Sequence, residues 1–355
     1  MPASSVVKHP HRLLILRFSA LGDVAMTVPV VASLAAQYPQ MQITIASQPF
    51  LAPLFEHIAP NVQFFGTDIR KTYRGLRGLW QLSRTAPFQD CDAVADLHDV
   101  LRTKILRCFL RLRGKRLAVI DKHRREKRLL VEHKIFRPLP TSFALYAETL
   151  ARLGLPVKLN FERLKLGGDA LHLPFPFSTD TLHEPWLGLA PFAAHEGKIY
   201  PLEQMAEVVQ LYFELHPHGR LFVFGSRKEM EMLRPTWGKD FERLVFVCDI
   251  LKGLDAELQL MARLNAMVSM DSGNMHLASL VGCPVVSIWG QTHPFAGFMG
   301  YHQAEENVVQ QDLHCRPCSI FGNAPCRYGD FRCLRDILPQ LIVDKVEEII
   351  SPEQD

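Results

Sequence analysis

Asp23 stands in the run Arg17-Phe18-Ser19-Ala20-Leu21-Gly22-Asp23-Val24, directly after a short apolar stretch at 13–16. Open α/β sheets gather their chemistry at the C-terminal ends of strands, and a carboxylate held there can take a proton from an incoming hydroxyl. The same position suits an acid that caps the following helix, where negative charge is favoured. The run is not a dinucleotide fingerprint, because only Gly22 remains of the G-x-G-x-x-G pattern. A second constellation is Met270-Asp271-Ser272-Gly273-Asn274-Met275-His276. Backbone N–H groups at a helix start form an anion site, which the small Ser272 and Gly273 would leave accessible. His276, one turn in, can add a hydrogen bond to phosphate. An ordinary Asp/Ser cap with a buried histidine would look the same. Lys198, in Ala194-His195-Glu196-Gly197-Lys198-Ile199-Tyr200-Pro201, reads either as a compact cation for a diphosphate or as a solvated surface lysine.

Two denser clusters accompany these. Residues 102–137 carry 14 Lys/Arg against Asp121, Glu126 and Glu132. Such a run is a solvated face, a contact for phosphates or carboxylates of an acceptor, or an attachment to an anionic membrane. Only Phe109 and Phe136 interleave it, too few aromatics for a base-stacking surface. Four of the eight cysteines form Cys315-x-x-Cys318 followed by Cys326 and Cys333. The spacing resembles a zinc site, but six residues rather than two separate the second pair, so reduced thiols in a local loop are the leading reading and a zinc site held by Cys315, Cys318, Cys326 and Cys333 the alternative. Cys91, Cys108, Cys248 and Cys283 read as core residues.

The elements that must position these groups alternate along the chain. Residues 13–16, 42–46, 92–97 and 116–120 read as strands, with helices at 26–37 and 102–112 between them, in the manner of βαβ units. A second series follows: strands at 186–190, 220–224, 266–270 and 284–289, and helices at 201–215, 229–233, 275–281 and 343–350. Pro201 is expected in the first helical turn. Between the series, residues 172–181, with Pro174 and Pro176, read as a linker. The expected domains are 1–172 and 182–355.

The chain has 355 residues, 48% hydrophobic and 22% charged, ordinary values that exclude disordered and fibrous classes. No apolar run of 18 residues predicts a membrane span, and the opening MPASSVVKHPHR has no signal-peptide pattern, so a cytoplasmic protein is expected. Net charge is only +3, yet residues 1–150 hold 22 Lys/Arg and 11 Asp/Glu, a net of +11 that leaves −8 for the rest. An anionic partner for the first half follows.

Taken in order, these residues resemble the family 9 glycosyltransferases, among them the ADP-heptose:lipopolysaccharide heptosyltransferases. The resemblance covers most of the chain. It rests on residues 17–24 with Pro29 and Tyr38-Pro39, and on Asp96-Leu97-His98 with Arg102 beyond. In the second half it rests on Lys198, Asp271-Ser272-Gly273 with His276, Pro284, Trp289-Gly290 and Thr292, then the cysteine pattern with Ile337 and Pro339. It implies an α/β protein of the GT-B fold, two Rossmann-like doubly wound domains facing a central cleft, with acceptor on the first and nucleotide sugar on the second. Asp23 then matches the general base, and Ser19 and Arg102 fall on the acceptor side. Lys198, Asp271, Ser272, Gly273 and His276 match the donor-diphosphate site. Arg227-Lys228-Glu229 occupies the turn where the family carries its ribose-binding acid, making Glu229 a displaced candidate.

The function so implied is an inverting, metal-independent transfer, with no cofactor required, of heptose from ADP-heptose to a membrane-embedded glycolipid of the lipopolysaccharide core. The implied location is cytoplasmic and peripheral on the inner face of the inner membrane, with no nucleic acid as partner. Two other classes compete: a basic nucleic-acid-binding protein with a cysteine-held zinc, and a nucleotide-sugar-binding relative without catalysis.

Overall fold

A computed structural model describes residues 9–167, 185–240 and 243–351. The chain divides into two compact units, Met1–His123 with Thr141–Lys165, and Arg124–Pro140 with Leu166–Asp355. The linker expected at 172–181 lies outside the described residues. The segment 124–140, which a division at residue 172 assigns to the first domain, belongs to the second unit. Its apolar residues explain this: Leu130 and Leu139 pack with Ala296, and Ile135 joins them beside Phe295 and Phe298. Leu139 N–H donates to the Phe295 carbonyl at 2.9 Å.

The first unit has five strands: β1 (Arg12–Leu16), β2 (Gln42–Ser47), β3 (Val62–Gly66), β4 (Ala93–Asp96) and β5 (Arg116–Val119). Their order is β3-β2-β1-β4-β5, and every pairing is parallel. The last four residues of β1 are all buried, without alternation, as in a strand covered on both faces. Leu16 pairs with Ala46 on one side and Asp96 on the other. Winding runs outward from β1 to β3 and, in the opposite direction, from β4 to β5. The loops after β1 and β4 therefore emerge side by side at the point where the sheet changes direction, the crevice that ligands use in such sheets.

The second unit has six: β6 (Trp186–Ala190), β7 (Arg220–Val223), β8 (Leu244–Phe246), β9 (Ala266–Met270), β10 (Val285–Trp289) and β11 (Val308–Gln310). The order is β11-β10-β9-β6-β7-β8, again all parallel. Here β6 and β9 flank the change of direction, with Leu189 paired to Val268. Leu187, Leu189, Val223, Val268 and Ile288 form one core with Met205, Val208 and Tyr212 of the helix Leu202–Leu215. Ile342, Val343 and Val346 of the last helix, Pro339–Ile350, close it.

Three strands, β3, β8 and β11, have no counterpart in the sequence pattern. All are edge strands, short and of mixed burial. Pro201 is the cap before the helix Leu202–Leu215, not its first turn. The last helix starts four residues earlier than expected, at Pro339, whose fixed φ suits a helix start. Cys108 is exposed and Cys248 half-buried, so only Cys91 and Cys283 of the four expected core cysteines are buried. Among the described residues no helix is long and apolar enough to cross a membrane.

Candidate active site

In the first unit the chain leaves β1 through Arg17 and enters the short helix Leu21–Ala25, which carries Asp23 in its first turn. The Asp23 carboxylate accepts a hydrogen bond from Ala20 N–H at 3.2 Å and pairs with the Arg17 guanidinium at 2.5 Å. It thus performs the capping role that the sequence allowed and remains one-third exposed. Arg17 is buried and donates to the Leu97 carbonyl beyond β4, so one side chain ties the two loops at the crevice. Tyr146 donates to the Asp23 carbonyl at 3.2 Å, and burial pushes its hydroxyl well above the ordinary range, so it stays a neutral donor.

His98, absent from the sequence-derived site, is the histidine of this crevice. Its Nε2 is 3.4 Å from the Ser19 hydroxyl. Burial first, and then the positive charges of Arg17 and Lys122, lower its pKa from 6.5 to about 4, with Arg102 adding to the effect. The ring is therefore neutral at physiological pH. The buried Asp96 holds the turn by accepting from the N–H groups of His98 and Asp99 and pairing with Arg107 at 3.0 Å. Ser19, Asp23 and His98 are brought together, while Arg102 lies exposed on the helix Leu101–Leu112.

In the second unit Lys198 follows β6 and Asp271 follows β9. Their Nζ and Oδ2 atoms are 2.9 Å apart, both well shielded from water. Ser272 caps the helix Gly273–Leu280 with extended backbone, and its side chain makes no bond to the helix's own first N–H groups. It lies 3.3 Å from the Ser269 hydroxyl. His276 is buried in the first turn. Lys198, Asp271, Ser272 and Gly273 are thus gathered at one crevice: a cation held by a carboxylate beside a helix N-terminus, an arrangement suited to a phosphate. Glu229, the ribose candidate, is engaged within its own turn. Its carboxylate takes both the N–H and the hydroxyl of Ser226 at 2.7 Å, capping the helix Arg227–Asp240.

The cysteine-bearing loop supports Lys198. Gly322 has φ +74°, and a Cβ there would lie 2.3 Å from Lys198 Cγ. Arg316, between Cys315 and Cys318, is buried and donates to the carbonyls of Gly290, Trp289, Gln311 and Thr292. An arginine inside a Cys-x-x-Cys spacing signals such a clamp only once the carbonyls around it are known. Burial pushes the Cys333 thiol up to about 12 and raises Cys318. At Cys326 burial acts the same way, but the N–H groups of residues 328–331 outweigh it and lower the thiol's pKa. Among the described residues no group of three or more His, Cys, Asp or Glu side chains is arranged to hold a metal ion.

The model of glycosyltransferase family 9 (heptosyltransferase) matches residues 83–324. The chain belongs to this family. Its first unit carries the beginning of the match and its second unit most of the rest. The family 9 chain is 25% identical over 303 residues to the lipopolysaccharide core heptosyltransferase OpsX of Haemophilus influenzae, covering 80% of each protein. Among solved structures it resembles a family 9 glycosyl transferase of Veillonella parvula, with a TM-score of 0.74, 19% identity, and coverage of 96% of this chain and 97% of that one. The ADP-heptose lipopolysaccharide heptosyltransferase II of E. coli gives a TM-score of 0.67 at 19% identity, over 97% of this chain and all of the other. The expected α/β architecture with two doubly wound parallel sheets is therefore borne out, and the protein is a glycosyltransferase.

Proposed function

We propose that this glycosyltransferase moves heptose from ADP-heptose to a saccharide of the lipopolysaccharide core, with inversion at the anomeric carbon and without a metal. Asp23 takes the proton of the acceptor hydroxyl as its oxygen bonds to the anomeric carbon. The bond from that carbon to the diphosphate breaks, and ADP departs with the electron pair. Lys198, oriented by Asp271, and the N–H groups at Ser272 and Gly273 offset the negative charge that grows on the leaving diphosphate. His276 adds a donor in the same turn, and Glu229 is the acid nearest the turn that would meet a ribose. Ser19, the neutral His98 and Arg102 contact the acceptor. The net charge of +11 in residues 1–150 suits an acceptor rich in carboxylates and phosphates, met at the inner face of an anionic membrane.

One observation carries the reading: each sheet bears one half of this chemistry at the crevice where its winding reverses. Asp23 is beside β1 and β4; the Lys198–Asp271 pair is beside β6 and β9. The lipopolysaccharide assignment draws on the named activity of the Haemophilus relative, and the donor on that of the E. coli heptosyltransferase. The test offers the enzyme ADP-heptose, UDP-sugars and GDP-sugars with a core saccharide, with and without EDTA. Transfer from ADP-heptose alone, unaffected by chelation and giving the inverted anomer by NMR, is expected. Preference for another nucleotide, retention of configuration, or loss of activity on chelation would overturn the corresponding part.

A further inference from the structure

We propose that the paired helices Gly75–Leu82 and Leu101–Leu112 of the first unit form a face that docks on an anionic phospholipid bilayer. The inference rests on the glycolipid acceptor proposed above and gives its membrane a place on the molecule. The helix Leu101–Leu112 buries Thr103, Leu106 and Leu110. Away from these, Leu101, Cys108 and Leu112 recur at i, i+7 and i+11 as one exposed stripe, while Ile105 between them packs on the core. Leu101 is 73% and Leu112 86% exposed. The helix Gly75–Leu82 buries Gly78, Leu79 and Leu82 and turns Leu76 and Trp80 outward, 66% and 45% exposed. Leu79 and Leu82 share one core cluster with Leu106 and Leu110. Arg113, just past the second helix, donates to the carbonyl and hydroxyl of Ser83, just past the first. Both apolar stripes thus lie on neighbouring helices and expose their large side chains away from the core they share.

The charge around them has one sign. Residues 70–84 hold five Lys/Arg and residues 101–115 hold six, with no Asp or Glu in either stretch. Between these cations the exposed large side chains are Leu76, Trp80, Leu101 and Leu112, with Thr72 and Gln81 as exposed uncharged polar neighbours. Exposed apolar groups set among cations match the interfacial layer of an anionic membrane, where apolar side chains enter and Lys/Arg meet headgroups. Trp80, with the Arg84 guanidinium 4.6 Å from its ring centre, is the amphipathic aromatic such a layer favours. The basic helix Arg124–Val131 differs, because it belongs to the second unit and exposes no large apolar side chain. Leu130 is buried, and Lys127 lies over the Phe298 ring at 4.2 Å.

Fluorescence offers a direct test, because Trp186, Trp237 and Trp289 are buried and Trp80 alone of the four tryptophans is exposed. The full chain is mixed with phosphatidylcholine vesicles, with or without phosphatidylglycerol, at low and high salt. Blue-shifted emission and co-sedimentation with the anionic vesicles alone, weakened by salt, are expected. The double variant Trp80→Ser, Leu112→Ser should lose at least about tenfold in sedimentation. Neutralising Arg124, Arg125, Lys127 and Arg128 to glutamine should change it less than about twofold. Absent vesicle binding, equal binding to neutral vesicles, or displacement from anionic vesicles by single-stranded RNA would overturn the docking face. Transfer to a delipidated, soluble core saccharide is measured on the same samples. If that transfer proceeds while vesicles are ignored, the docking face fails and the proposed activity stands. Vesicle binding without any transfer would support the docking face and overturn the proposed activity.

Discussion

Lys198 and Asp271 join two loops into one device. Their 2.9 Å ion pair links the end of β6 to the end of β9, the neighbouring strands between which the sheet reverses its winding. A flexible lysine becomes a fixed cation beside a helix start, which is the condition for electrostatic stabilisation of a leaving diphosphate.

Lys198→Ala removes that cation. Charge-assisted contacts of this kind contribute about 1.5–3 kcal/mol, so the Kd for ADP-heptose should rise about 10- to 150-fold. Isothermal titration of the folded variant reads this. Unchanged affinity would make Lys198 a structural partner of Asp271 alone.

Gly322 and Gly329 separate strain from function. Both have positive φ, +74° and +75°, so alanine at either costs about 1–2 kcal/mol of backbone strain. Only Gly322 faces the Lys198 side chain; a Cβ at Gly329 would meet nothing within 4 Å. Gly322→Ala and Gly329→Ala should both lower Tm by about 2–8 °C, while only Gly322→Ala weakens donor binding. Equal donor affinity in the two variants would deny the loop its role in placing Lys198.

Acid should destabilise the protein in a defined window. Burial and neighbouring cations hold His98 at a pKa of about 4, and burial with Arg316 does the same for His293, against an ordinary value of 6.5. Between pH 6.5 and 4 the unfolded chain binds protons that the folded chain refuses. Stability is therefore full above 6.5 and falls with pH through this range, by at most about 1.4 kcal/mol per unit for each histidine. His98→Gln should flatten part of the slope of Tm against pH. An unaltered slope would mean that His98 charges freely in the folded state.

Much of this architecture is legible as residue pattern. The runs that form β1, β6, β9 and β10 are buried almost throughout their length, and burial is written into the sequence as mainly apolar stretches, with Ser269 and Ser287 the polar residues inside β9 and β10. The helix-start signature around Ser272 and the acid at Asp23 are visible because they are local. What depends on distant contacts is not. The basic run at 102–137 reads as one charged segment, yet it parts between two units according to where Leu130 and Leu139 find apolar neighbours. Arg316 looks like a surface residue until the four carbonyls it satisfies come together around it. The capping bond that Glu229 makes to Ser226 is likewise visible only in the structure.

The central claim is that Asp23 accepts the acceptor's proton, and Asp23→Asn tests it most directly. The amide keeps the size of the side chain and can still receive the Ala20 N–H bond, but it cannot take a proton. A positioned base contributes about 10²–10⁴-fold to such a step. Single-turnover transfer from ADP-heptose to a soluble core saccharide should therefore fall by that factor, with donor Kd close to that of the parent and Tm lowered by the loss of the carboxylate beside the buried Arg17. A folded Asp23→Asn variant that transfers at near-parental rate would contradict the account and leave Asp23 as the partner of Arg17 and the cap of its helix.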